Sequence, residues 1–310
     1  MAENDAQTQH QLTQAQLEAI ENEIKSTQLL TSSLLPIGVL QQQYTSSSDS
    51  DENDASADGT QQQQQGFIKS ATFLSTKYNS FRKIRGDGNC YYRAFLYSVC
   101  EHLLKRLISD NDHAEYNRLK DVVAKSLKWV CRYGYDEYTI DMFHEELVDL
   151  FVFMEGIPKK SSNEEDDGSN TDGSSKDLLE NAMQQLHTKL NEENAASDYC
   201  TWFMRVMTAA QMKSNPDQYL PFVMGENYHD VPAFCAREVE PMGKECGMIQ
   251  VSALAECMGV RVVIEYMDGR VGTGEEKLVH HVFGEGDAND NEQRMSITLL
   301  YRPGHYDILY

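Results

Sequence analysis

The sequence predicts an α+β fold, a small central β-sheet packed between helices, preceded by a disordered N-terminal extension. Three observations predict it. Apolar residues recur at helical spacing through the middle of the chain, two-residue alternation replaces that period towards the C-terminus, and a Gln/Ser/Asp-rich run sets both apart from the N-terminus. Helices first and strands late is the order of a sheet with helices packed against it, rather than of alternating β-α-β units.

The elements follow in order. Thr13 with Gln16 reads as a capping box, after which Leu17, Ile20 and Ile24 share one helical face beside a Glu21/Lys25 pair, so a short amphipathic helix is expected within Thr13–Leu30. Gln41–Gly66 (QQQYTSSSDSDENDASADGTQQQQQG) has almost nothing to bury and is expected to be a disordered linker. Residues 1–66 thus form the extension and 67–310 the folded domain. Helical spacing runs through Tyr92, Phe95, Leu96, Val99, Leu103 and Leu107, then through Val122–Trp129, Phe143–Phe153, Leu178–Leu190 and Trp202–Met212. The acidic stretch Lys159–Lys176 is expected to be a surface insertion loop. Val260–Tyr266, Ser296–Tyr301 and Tyr306–Tyr310 read as strands. The aromatic and methionine residues of Tyr199–Met212 and Tyr219–Met224, with Trp129 and Trp202, are expected to be core, although the two segments could also line a binding groove.

Composition removes several classes of function. The chain has 310 residues with 27 basic and 49 acidic side chains, a net charge of −22, and is expected to be repelled by nucleic acid and by anionic membranes. No run approaches the apolar length of a membrane span, and the N-terminus lacks a signal peptide's basic start and apolar stretch. Seven cysteines without a CxxC pair predict reduced thiols of a cytoplasmic or nuclear protein; Pro241 and Gly243 break any helix that would align Cys235, Cys246 and Cys257, so no metal is expected. A monomer is the default expectation.

The informative segment is Arg85-Gly86-Asp87-Gly88-Asn89-Cys90-Tyr91-Tyr92-Arg93-Ala94-Phe95. A turn with two glycines delivers Cys90 to the first turn of an amphipathic helix, where free N–H groups and the helix dipole favour negative charge. The backbone of Asp87, Gly88, Asn89 and Cys90 could hold the oxyanion of an acyl transfer. A buried structural cysteine would give the same local pattern. Among nine histidines, His305 stands out: Pro303-Gly304 feeds it onto a strand, and alternation puts Asp307 on its side, where a carboxylate could fix the imidazole tautomer. His280 and His281 are neighbours on a probable strand, face opposite ways and are expected to be structural or surface residues.

RGDGNCYYRAF, REVEPMGKEC, VVIEYMD and LLYRPGHYDILY, in this order, resemble the otubain subfamily of OTU-type cysteine deubiquitinases over roughly Phe67–Tyr310. The resemblance implies a papain-like OTU fold and hydrolysis of isopeptide bonds between ubiquitin and lysine in polyubiquitin chains, with linkage through ubiquitin's lysine 48 as one candidate and the linkage preference left open. It implies Cys90 as nucleophile, His305 as general base and then acid, Asp307 as the residue orienting His305, and Asp87 beside the oxyanion hole. No cofactor is implied. Ubiquitin and polyubiquitin are the implied partners, and ubiquitin-conjugating enzymes charged with ubiquitin, bound without catalysis, are the alternative. Glu238, Glu240 and Glu245 could steer ubiquitin's basic tail, although a solvated charged face is their plainer reading.

Overall fold

The computed structural model describes residues 19, 23–45, 57–161, 171–269, 278–284 and 294–310. Its strands are β1 (Leu35–Pro36), β2 (Ser80–Arg82), β3 (Arg261–Tyr266), β4 (Val279–Phe283), β5 (Ser296–Arg302) and β6 (His305–Leu309), in the spatial order β1-β2-β6-β5-β3-β4. Among the described residues only β3 and β5 pair in parallel. The helices are α1 (Gly38–Thr45), α2 (Ala57–Lys77), α3 (Cys90–Lys105), α4 (Ala114–Val130), α5 (Glu137–Ser161), α6 (Thr171–Leu190), α7 (Ala196–Ser214), α8 (Pro216–Gly225), α9 (Val231–Phe234) and α10 (Met248–Met258).

Alternation along the strands divides the side chains between two faces. Val262, Ile264, Ile297, Leu299, Tyr306 and Ile308 join the main core with Tyr91, Phe95 and Phe203 from the helical layer. Leu300 and Leu309 turn the other way and join Ile37, Leu40, Ala71 and Leu74 from the N-terminal helices. The sheet is therefore covered on both faces, and the expected α+β arrangement is present.

The linker expected over Gln41–Gly66 is corrected at both ends. Gly38–Thr45 and Ala57–Lys77 are helical, with Leu40 and Leu74 fully buried against the sheet. Glutamine is a good helix former, so a Gln-rich tract extends a helix once an apolar anchor beyond its end is fixed. The folded unit also reaches back past 67: Leu30 is buried and Thr31 bridges to Ile84. Residues 46–56 lie outside the described residues, as do 13–18 and 20–22 of the helix expected within Thr13–Leu30, of which residues 23–27 are helical. The expected insertion narrows too, because α5 continues to Ser161 and α6 begins at Thr171, with 162–170 outside the described residues. The groove alternative for α7 is not what its packing shows: Phe203, Met204, Met207 and Met212 are buried, whereas Phe222 and Met224 on α8 are exposed. Among the described residues no helix is long and apolar enough to cross a membrane.

Candidate active site

Two local devices meet at one end of the sheet. In the first, Gly88 at φ +75° closes the turn that starts α3, and Cys90 is that helix's first residue. In the second, Pro303 and Gly304, the latter at φ +74°, return β5 into β6, so that His305 opens the last strand opposite Arg302. α3 packs on β6, which brings the cysteine and the histidine together from positions over two hundred residues apart.

His305 Nε2 lies 2.9 Å from Asp307 Oδ1, and the same imidazole interacts with Cys90 on its other side. With Nε2 engaged by the carboxylate, Nδ1 is left to face Cys90. Burial pushes the imidazole down, but the hydrogen bonds and charges of Asp307 and Cys90 outweigh it and raise His305 to about 9. Asp307 is fully buried. Burial alone would raise its carboxyl, yet His305, the Arg302 guanidinium and the Ile84 N–H together hold it below the usual carboxylate range. The Ile84 N–H donates to Oδ1 at 3.0 Å and Arg302 pairs with Oδ2. Arg302 in turn donates to the Tyr44 hydroxyl at 3.3 Å, which ties α1 to the same network.

The structure thus assembles Cys90, His305 and Asp307 and treats Asp87 differently. The Asp87 carboxylate turns to Arg93 Nη1, at 2.5 Å, and accepts the Asn89 N–H at 3.1 Å. Only its backbone belongs to the turn beside Cys90. Asn89 is corrected as an oxyanion donor for the same reason: its N–H is already given to Asp87. Arg93, Arg302 and Arg205, which hold this constellation, carried no expectation from the sequence, although Arg93 and Arg302 lie inside the two informative strings.

Of the remaining candidates, Glu245 places its carboxylate against Gly304 in the turn before His305, and the others lie elsewhere. His280 Nδ1 is 3.6 Å from the buried Glu265, and His281 packs on Tyr266, so both belong to the far edge of the sheet. Glu240 accepts from Tyr135 and Lys213, and Glu238 from Tyr228 and Lys244, which makes them structural acids. All seven cysteines are free. Burial raises the thiols of Cys235 and Cys257 to about 12 and raises those of Cys100, Cys131, Cys200 and Cys246 as well, the mark of unreactive thiols.

Arg85 links the turn to the N-terminal segment. Its buried guanidinium donates to the Gln28 and Lys25 carbonyls and pairs with Glu193, while the Gly86 N–H donates to Gln28 Oε1 at 3.3 Å. The turn is also packed backbone to backbone. A Cβ on Gly88 would lie 2.0 Å from the Gly243 carbonyl oxygen, on top of the positive φ. Gly88→Ala is therefore expected to cost at least about 2 kcal/mol of stability, read as a lower urea midpoint at unchanged slope, and to depress Cys90 reactivity with it. An unchanged midpoint would show that the two loops separate freely.

The family model of Peptidase C65, Otubain, matches residues 22–310. Ubiquitin thioesterase OTUB1 of Homo sapiens is 35% identical over 297 residues, covering 96% of this chain and 88% of that protein. OVARIAN TUMOR DOMAIN-containing deubiquitinating enzyme 1 of Arabidopsis thaliana is 33% identical over 252 residues, covering 78% and 73%. A chain of the h/ceOTUB1–ubiquitin aldehyde–UBCH5B~Ub complex superposes with a TM-score of 0.70 at 27% identity over 98% of both chains. This chain belongs to the otubain family of cysteine peptidases.

Proposed function

We propose that the chain is a thiol-dependent ubiquitin isopeptidase in which Cys90, His305 and Asp307 act as nucleophile, acid–base and orienting carboxylate. The observation that carries this is the single imidazole hydrogen-bonded to a fully buried aspartate and set beside a helix-start cysteine. Cys90 passes its thiol proton to His305, and the Sγ thiolate attacks the carbonyl carbon of ubiquitin's C-terminal glycine while the carbonyl electrons move onto oxygen. First-turn N–H groups have no partner within a helix, so the Cys90 N–H, with the Asp87–Gly88 backbone beside it, is suited to receive that oxyanion. The His305 imidazolium gives its proton to the lysine nitrogen as the C–N bond breaks, leaving a thioester on Cys90. His305 then takes a proton from water, whose oxygen attacks the thioester and releases ubiquitin with its carboxylate while the thiol is restored.

Incubation with linkage-defined di-ubiquitins tests the reading. Mono-ubiquitin should appear from at least one linkage, with the lysine-48 linkage as the first candidate; folded protein that cleaves none would overturn it. A second reading has its own support. The described part of the N-terminal segment is pinned beside the Cys90 turn by Arg85, and relatives are found in complexes named for conjugating enzymes charged with ubiquitin. Binding of such a conjugate by this chain should survive loss of Cys90 and weaken when residues 1–22 are deleted. That deletion is the cleaner one, because removing 1–66 would also take away β1, α1 and the buried Leu40.

A further inference from the structure

Arg205, on α7, is fully buried, and among the described residues no carboxylate pairs with it. A guanidinium withdrawn from water without an anion is unfavourable unless its donors are met and its charge has a use. The donors are largely met. Nη1 donates to the Val239 carbonyl at 2.9 Å, and Nη2 to the Gly88 carbonyl at 2.9 Å, to Asn89 Oδ1 at 2.8 Å and to the Lys244 carbonyl at 2.7 Å, while the Tyr92 ring lies 4.5 Å from Cζ. Every one of these partners belongs to the Cys90 turn, to the helix it starts, or to the 239–244 segment packed against it.

The Asn89 side chain shows what the arrangement does. Asn89 is the N-cap of α3, where an asparagine ordinarily accepts an N–H from the first turn of its own helix. It makes no such bond. Its Oδ1 accepts instead from Arg205 and from the Gly243 N–H at 3.0 Å. The side chain is thereby committed to bracing the turn against Arg205 and the 239–244 segment instead of capping α3. The Gly88 carbonyl is also aimed at Arg205, which fixes the plane of the Gly88–Asn89 peptide.

We propose that Arg205 is a positioning residue for acyl transfer at Cys90: through the Gly88 carbonyl and Asn89 Oδ1 it locks the backbone of the Gly88–Cys90 turn, so that the Cys90 N–H keeps its aim at the oxyanion, and it supplies a buried positive charge beside that turn. The inference rests on the isopeptidase reading. Negative charge gathers at the turn only once the carbonyl is attacked, so Arg205 acts on the transition state and not on ubiquitin binding.

The test uses the full chain and its Arg205→Met and Arg205→Lys variants, with ubiquitin carrying a C-terminal aminocoumarin as substrate. Ubiquitin aldehyde, whose adduct with a thiol is tetrahedral, is compared with free ubiquitin as ligand. For Arg205→Met, kcat should fall on the order of 100-fold with KM within about 2-fold, and affinity for the aldehyde should fall alongside kcat while affinity for ubiquitin holds. Arg205→Lys, which keeps the charge and loses the fork, should recover part of the loss. A folded Arg205→Met variant with wild-type kcat would overturn the proposal, as would a loss that falls on KM and weakens ubiquitin and its aldehyde equally. If Arg205→Met does not fold, Arg205→Lys is judged by the same ratios; if neither folds, Arg205 serves the fold alone and the proposal fails. Failure of the isopeptidase reading looks different: the wild-type chain itself would neither turn over the substrate nor capture the aldehyde.

Discussion

Replacing Cys90 by alanine is expected to abolish isopeptide cleavage, with kcat/KM falling by at least about 10⁴-fold, while the protein stays folded and still binds ubiquitin. The rate loss is large because no other thiol can substitute. The other six cysteines are held up by burial, and none of them contributes to a histidine poised on a carboxylate as Cys90 does to His305. The stability loss is small because only one sulfur atom leaves a site at the edge of the core, an effect of about 1 kcal/mol. Gel time courses on the cleaved di-ubiquitin, beside thermal melts and calorimetric ubiquitin titration of both proteins, separate the two effects. Turnover by the alanine variant within about 100-fold of wild type would mean that the nucleophile lies elsewhere.

The parts of the site that were legible in the sequence are those built by local chain geometry. A glycine turn followed by an amphipathic run places Cys90 at a helix start whatever surrounds it, and a Pro-Gly turn followed by alternation puts His305 and Asp307 on one side of a strand. The arginines were not legible, because their roles depend on partners far away in the chain. Arg205 meets Gly88 across 117 positions, and nothing in the α7 periodicity distinguishes a buried arginine from one that reaches solvent. Asp87 shows the complementary limit. Its place in the turn follows from its neighbours, but the direction of its carboxylate is decided by Arg93, in the first turn of α3. In the fold, the helical layer and the longer strands declared themselves by period. β1 and β2, of two and three residues, are too short to have one, and composition hides α1 and α2: a Gln/Ser/Asp run offers nothing to bury, whereas the buried Leu40 and Leu74 that anchor the two helices lie outside it.

Removing the Asp307 side chain with Asp307→Ala is expected to lower kcat by about 10³- to 10⁴-fold and to cost about 3 kcal/mol of stability, since it leaves the Ile84 N–H and the Arg302 guanidinium without their buried acceptor. Asp307→Asn is the more informative change. With its carbonyl turned to His305 and Ile84, asparagine still fixes the tautomer, so the rate loss should be smaller, but its amide then meets Arg302 donor to donor and the negative charge is gone. The pH dependence carries the signature. Asp307 is held below its ordinary 3.8, so its contribution to stability is complete above that value and is lost as pH falls through the depressed one. His305 is raised from 6.5 to about 9, so its contribution is complete below 6.5 and is lost as pH rises through about 9. In the wild type the alkaline limb of kcat/KM should lie near pH 9, where the imidazolium that protonates the departing lysine nitrogen disappears. Without the Asp307 charge, burial, which disfavours the imidazolium, is opposed by less, and the limb should move to lower pH by at least about one unit. Kinetics from pH 5 to 10 on a coumarin-labelled ubiquitin, with stability followed over the same range, measure both. A limb that stays near pH 9 in Asp307→Asn would mean that Cys90 alone holds the proton on His305, and that Asp307 orients the ring without setting its charge.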